Sequence, residues 1–281
     1  MIILFELNRK AGFYSEFFFL CWAYIHSKAM RCRFYITHKN WTYTFKYGWH
    51  DYFDSLEVFD PREHAGIDTI IFSHSNMKGI PNYPLSMYVD CIKEIYLLKP
   101  YLLKESSLLQ CEKYAALVVR RGDKLIADAS FISTEDIISI TNIDSEKNIF
   151  VQSDDFRVVA DVVKLCPSSE IVSIVPPTSF GSYHGDSSYI KNHPDKNYIT
   201  PLTKKTPDEI FDQTKIFLVG LDVCIHADVC WVDSSSNVSR FMKLASMENV
   251  QFYPKNTMVD LTRLRCPAYF DSLFPQTKPR K

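Results

Sequence analysis

The stretch Tyr114-Ala115-Ala116-Leu117-Val118-Val119-Arg120-Arg121-Gly122-Asp123-Lys124 is an apolar run that stops abruptly at two arginines. A strand of this kind is buried along its length and delivers guanidinium groups where its carboxyl end leaves the sheet. Gly122 permits a tight turn there, and Asp123 is placed to hold one arginine. Guanidiniums keep their charge and bind phosphate bidentately, so the pair suits a pyrophosphate clamp. A strand that merely ends in surface charge would read the same way.

Outward from this strand, helices and strands alternate. Ser133–Ile140 reads as a capped helix, Asn148–Gln152 as a strand and Phe156–Cys166 as a helix. Glu170–Ile174 follows as a strand, Pro207–Val219 as a helix, Asp228–Val232 as a strand and Ser235–Met247 as a helix. Upstream, Ile2–Leu7 and Cys32–Thr37 are strands flanking a helix over Ser15–Ala29, with Ser15 as its N-cap and Phe18, Trp22 and Ile25 on one face. Residues 85–110 look helical. Two such arrays predict an α/β chain of two Rossmann-like lobes, 1–108 and 109–265, followed by a tail over 266–281. The default ligand site of that architecture is the crevice between lobes. Residues 177–206 read as a long loop.

Composition narrows the function. With 46% apolar residues the 281-residue chain has ample material for a core, and a net charge of −1 gives no global field for nucleic acid or anionic membranes. Any anion site is therefore local. Eight scattered cysteines without a Cys-x-x-Cys pair suit reduced, buried thiols and a cytoplasmic protein. The most apolar stretch, Phe17–Ile25, falls short of the ~20 residues a bilayer requires, and no signal-peptide pattern opens the chain. No Gly-x-Ser-x-Gly, Walker loop or Gly-x-Gly-x-x-Gly is present, which removes the commonest serine hydrolases, P-loop and dinucleotide enzymes.

Two further strand ends carry polar groups. Val232-Asp233-Ser234-Ser235-Ser236-Asn237 runs into the start of a helix, where orphan backbone N–H groups and the helix dipole favour an anion. An N-cap alone needs only one of those serines. Ser153-Asp154-Asp155 places two carboxylates at a strand end, either to accept hydrogen bonds from a base or ribose or to cap the next helix. No Asp-x-Asp occurs, so the diphosphate–metal motif of metal-dependent sugar transferases is missing and no metal is expected. Residues 41–53 are dense in aromatics (Trp41, Tyr43, Phe45, Tyr47, Trp49, Tyr52, Phe53), as core packing or as surfaces that stack on sugars.

In this order the motifs resemble the α1,6-fucosyltransferase family. Arg120-Arg121-Gly122-Asp123-Lys124 with Asp128, Ala129 and Phe131 is similar to its Arg-Arg-x-Asp-Lys block and downstream Glu-Ala-x-Phe. Ser153-Asp154-Asp155 matches its strand-end Asp-Asp, and Ser235-Ser236-Asn237-Val238-Ser239-Arg240 its late Ser-Ser-Gln-Val-x-Arg. Asn40-Trp41-Thr42-Tyr43 with Gly48-Trp49 resembles its Asn-Trp-x-Tyr…Gly-Trp element. The resemblance implies a GT-B-like fold and an inverting, metal-independent glycosyltransferase that moves L-fucose from GDP-fucose to a glycan acceptor. It implies no resident cofactor. It also implies that Arg120 clamps the diphosphate with Arg121 beside it, and that Asp128 stands in the place of the family's base, supported by Lys124. Ser235, Ser236 and Asn237 would sit on the phosphates, with Asp154 and Asp155 lining the nucleotide. Two positions depart from the pattern. Val118 replaces a nucleotide-contacting histidine, and Gly220 occupies the place of the base-reading aspartate, with Asp222 the nearest carboxylate. Another donor such as UDP-xylose, or a non-catalytic glycan-binding protein, fits those departures.

Overall fold

The computed structural model describes residues 1–8, 12–110, 113–121, 132–183, 200–234 and 236–253. They fall into two compact units, one built from Met1–Thr42 and Ser55–Leu97, the other from Tyr43–Asp54 and the described residues from Leu98 onward.

The first unit is a parallel sheet. Its strands β1 (Ile2–Glu6), β2 (Arg33–Thr37) and β3 (Thr69–Ser73) lie in the order β2-β1-β3. The central strand is an unbroken apolar run because helices and loops cover both its faces, and Ile2, Ile3 and Phe5 are fully buried. Helix α1 (Phe13–Ala29) connects β1 to β2, and it starts at Gly12, not at the expected Ser15. The Gly12 carbonyl already accepts from both Ser15 and Glu16 N–H, so Ser15 stands inside the first turn. Helix α2 (Leu85–Ile95) packs against α1, tied by the Trp22 indole donating to the Pro81 carbonyl at 2.7 Å. The single helix predicted over 85–110 is two. Pro100 cannot continue a helix from its N-terminal side, and α3 (Pro100–Ser107) starts at it in the second unit. Strand β3 escaped the sequence reading: its apolar part, Ile70-Ile71-Phe72, is three residues long.

The second unit holds a five-stranded parallel sheet in the order β10-β9-β4-β5-β6. Its members are β4 (Ala115–Val119), β5 (Asn148–Ser153), β6 (Glu170–Val172), β9 (Val229–Asp233) and β10 (Val250–Tyr253). A short parallel pair, β7 (Ser182–Tyr183) and β8 (Thr200–Pro201), stands apart from it within the stretch expected to be loop. Helices α4 (Thr134–Thr141) and α5 (Phe156–Leu165) close one face over Leu117, Val119, Ile149 and Val151. Helix α6 (Pro207–Ile225) opens with a Thr206–Glu209 capping box and runs six residues past its expected end. It packs on β4 and β5. Helix α7 (Asn237–Ala245) joins β9 to β10. The aromatic segment resolves as core: Trp41, Tyr43, Trp49, Tyr52 and Phe53 are all buried. Cys21, Cys91, Cys166, Cys224 and Cys230 are buried free thiols, and no described helix is long and apolar enough to cross a membrane.

Two packing features have measurable consequences. A methyl group on Gly220 of α6 would lie 1.9 Å from Oε1 of the buried Gln152 on β5. Gly220→Ala should therefore destabilise the chain by about 1–2 kcal/mol despite the better helix propensity of Ala. Denaturant titration should show that cost shrinking or reversing in a Gln152→Ala background. In the first unit Glu16 is 1% exposed and accepts from Asn8 N–H at 2.8 Å. Burial pushes its carboxyl up to about 7, against the pull of Asn8 N–H and the Trp41 side chain. The folded chain thus holds this proton more tightly than the unfolded one. The group's contribution is most favourable below about 4.5 and is lost as pH rises to about 7, a penalty of roughly 3 kcal/mol. Glu16→Gln should flatten the difference in urea midpoint between pH 5 and pH 8, and an unchanged difference would refute this burial effect.

Candidate functional site

The topology of the second sheet marks one place for a ligand. From β4 the chain builds outward through β5 and β6, then returns to the other side of β4 for β9 and β10. The order reverses between β4 and β9, and ligands of open α/β sheets bind beyond the carboxyl ends of the strands at such a point. Val118 pairs with Val232, which brings Arg120 and Asp233 out at nearly the same level on adjacent strands.

The two arginines after β4 part company. Arg121 turns inward, 7% exposed, and its guanidinium donates to the Ile132 carbonyl at 2.8 Å and to Thr134 Oγ1 at 3.3 Å. Burial lowers its pKa, opposed by the surrounding Tyr253, Asp154, Asp155 and Asp161. It is a structural pin at the entry to α4. Arg120 points the other way, towards α6. Its guanidinium lies 5.9 Å from the Phe217 ring centroid, Nε is 3.3 Å from Asp154 Oδ2, and 22% of the side chain is exposed.

Asp154 and Asp155 also separate, because successive residues of an extended chain face opposite ways. Asp154 Oδ1 accepts Arg121 N–H at 2.7 Å while its other oxygen faces Arg120, so one carboxylate sets both residues after β4. The Ser153 hydroxyl closes the same corner by donating to the Val119 carbonyl at 2.8 Å. Asp155 is 1% exposed and caps α5, with both oxygens taken by the Arg157 guanidinium and one also by Arg157 N–H. It is a helix cap with its own counter-ion.

After β9, Ser236 is the N-cap of α7 and accepts Ser239 N–H at 3.1 Å. Asp233 Oδ2 draws in the Ser236 hydroxyl at 3.1 Å and the Ser239 hydroxyl at 3.0 Å, and Asn237 Oδ1 accepts from Arg240 at 2.9 Å. Ser236 and Asn237 thus stand at the expected helix start, but their side chains organise the turn. With Ser239 N–H taken by the cap, the first-turn donors they leave for an anion are the N–H groups of Asn237 and Val238, which a helix does not satisfy itself. Beneath this edge the Tyr253 hydroxyl, whose pKa burial raises, donates across the sheet to the Val118 carbonyl at 2.9 Å. Tyr253 belongs to β10, the late strand that the sequence reading missed.

Asp222 lies elsewhere. Its carboxylate accepts from Ser106 Oγ of α3 at 2.5 Å, and the neighbouring Val223 carbonyl accepts from Tyr114 Oη, one residue before β4 begins. It is a buried joint between α3 and α6. Lys124, Asp128 and Ser235 lie outside the described residues.

No family model matches the chain, and no curated protein matches its sequence. Solved structures do. The NodZ α-1,6-fucosyltransferase soaked with GDP-fucose superposes with a TM-score of 0.56 at 12% identity, covering 86% of this chain and 92% of that one. Fucosyltransferase NodZ from Bradyrhizobium superposes at 0.51 and 12% identity, over 86% of this chain and 91% of that chain. NodZ co-crystallised with GDP gives 0.50 and 10% over the same shares. At such identities the likeness is one of architecture: this chain has the GT-B-like α/β fold of the fucosyltransferases.

Proposed function

We propose that the chain is a glycosyltransferase that transfers a sugar from a nucleotide donor to a glycan acceptor, by inversion and without a metal ion. The carrying observation is that a partly exposed Arg120 and the N-terminus of α7 follow adjacent strands, β4 and β9, at the switch point of the second sheet. It is supported by the fold shared with a fucosyltransferase solved with GDP-fucose. As the bond from anomeric carbon to diphosphate oxygen breaks, negative charge grows on the leaving phosphate. A fixed guanidinium and aligned N–H groups stabilise that charge more than they stabilise the intact donor, which lowers the barrier. Asp154 keeps Arg120 oriented beforehand, so little reorganisation accompanies the step. The acceptor hydroxyl attacks from the opposite face and surrenders its proton to a carboxylate, the part given to Asp128, with Lys124 supporting it. An Asp in place of the family's Glu does the same chemistry with a reach one methylene shorter.

L-fucose from GDP-fucose is the donor this reading favours. A second donor class, such as UDP-xylose, is favoured by one observation: the Gln152 side chain fills the space beside Gly220, where the family's base-reading aspartate would stand. Arg120→Ala should lower donor turnover, hydrolysis included, by about 10²–10³-fold, with a thermal midpoint within a few degrees of the parent. A panel of GDP- and UDP-sugars read by release of nucleotide measures this. Near-parental turnover in the variant refutes the clamp, and saturable binding of none of the donors refutes the transferase.

A further inference from the structure

One short segment of the second unit is held more firmly than a surface loop requires. Gly48–Asp51 forms a single 3₁₀ turn entered by Gly48 at φ +62°, and the Asp51 carboxylate, 6% exposed, folds back onto the residues before it. It accepts the backbone N–H groups of Phe45, Lys46 and Tyr47 at 2.9, 3.1 and 2.9 Å. The Asp51 carbonyl accepts from Tyr101 Oη at 2.6 Å, which anchors the turn to α3. The Phe45 ring stacks on Phe211 of α6 at 4.5 Å and 21°, and Tyr52 stacks on the same ring at 5.6 Å. On this fixed base Lys46 and Tyr47 are exposed, Tyr47 with 67% of its surface, and the Lys46 ammonium lies 5.0 Å from the Phe45 ring centroid.

A scattered exposed aromatic means little. A ring whose backbone is immobilised by a buried carboxylate is different, because binding to it costs little ordering entropy. The turn rests on the helix that also carries Phe217 under Arg120: Phe45 stacks on Phe211 of α6. We propose that Tyr47 and Lys46 form a saccharide platform for the glycan acceptor. The Tyr47 ring lies against the C–H face of a pyranose while the Lys46 ammonium donates to its hydroxyls. Asp51 acts as the positioning residue. The assignment of the saccharide as acceptor rests on the glycosyltransferase reading, and the experiment separates the two.

The test is titration of the full chain with short oligosaccharides of N-acetylglucosamine and of mannose, followed by saturation-transfer NMR and calorimetry. GDP and UDP are titrated in parallel. Tyr47→Ala should weaken saccharide binding about tenfold or more and leave nucleotide affinity unchanged, while Tyr47→Phe retains binding. Asp51→Asn should weaken it with the ring intact, together with faster amide hydrogen exchange at residues 45–47. The platform is overturned if no saccharide binds, if Tyr47→Ala binds as well as the parent, or if Tyr47→Ala weakens the nucleotide instead. Should saccharide bind through Tyr47 while no nucleotide binds at all, the platform stands and the transferase reading falls.

Discussion

One carboxylate, Asp154, decides how the chain leaves the central strand of the second sheet. It takes the Arg121 backbone N–H at 2.7 Å and faces the Arg120 guanidinium, so it fixes the direction in which the chain leaves β4. That direction sends two adjacent arginines to opposite sides. Arg121 is consumed by the Ile132 carbonyl and the Thr134 hydroxyl, and Arg120 alone remains over Phe217 beside the place where the strand order reverses. In the clamp we propose, of one guanidinium and one helix end, the carboxylate orients the arginine before any phosphate arrives and the helix supplies fixed dipoles that no side-chain entropy dilutes.

The same logic recurs at the other strand ends. Asp155 holds Arg157 at the head of α5, and Asp233 gathers two serine hydroxyls at the head of α7. Both of these carboxylates stiffen the first turn of the helix that follows. The carboxyl edge is thereby built of short-range, charge-assisted bonds whose geometry is set locally. A buried apolar sheet supports them from below, with the Tyr253 hydroxyl bonded under Val118.

Much of this was legible in the sequence, and the omissions have physical reasons. Apolar runs ending in polar or charged residues marked β4, β5 and β9 to within a residue or two, and the Ser133 cap suited the helix that follows it. Strands β3 and β10 were missed because a few residues of partly exposed chain carry little periodicity. Pattern could bring Arg120 and Arg121 to the site but could not say which would turn inward. The carbonyl and hydroxyl that capture Arg121 lie eleven and thirteen residues further on. Nor could it separate Asp154 from Asp155, whose fates depend on Arg121 and Arg157 respectively. Asp222 could not be placed from the sequence because its partner Ser106 lies 116 residues away, and the longer α6 carries it there. The aromatics of 41–53 went to the core, as their density allows, and left Tyr47 outside.

The central claim is that the carboxyl edge of the second sheet is a diphosphate site. The structure of the chain crystallised with GDP or UDP tests it most directly. The account predicts phosphate oxygens within hydrogen-bond reach of the Arg120 guanidinium and of the first-turn N–H groups of α7. A nucleotide seated on other elements, or one whose phosphates leave Arg120 untouched, would contradict it.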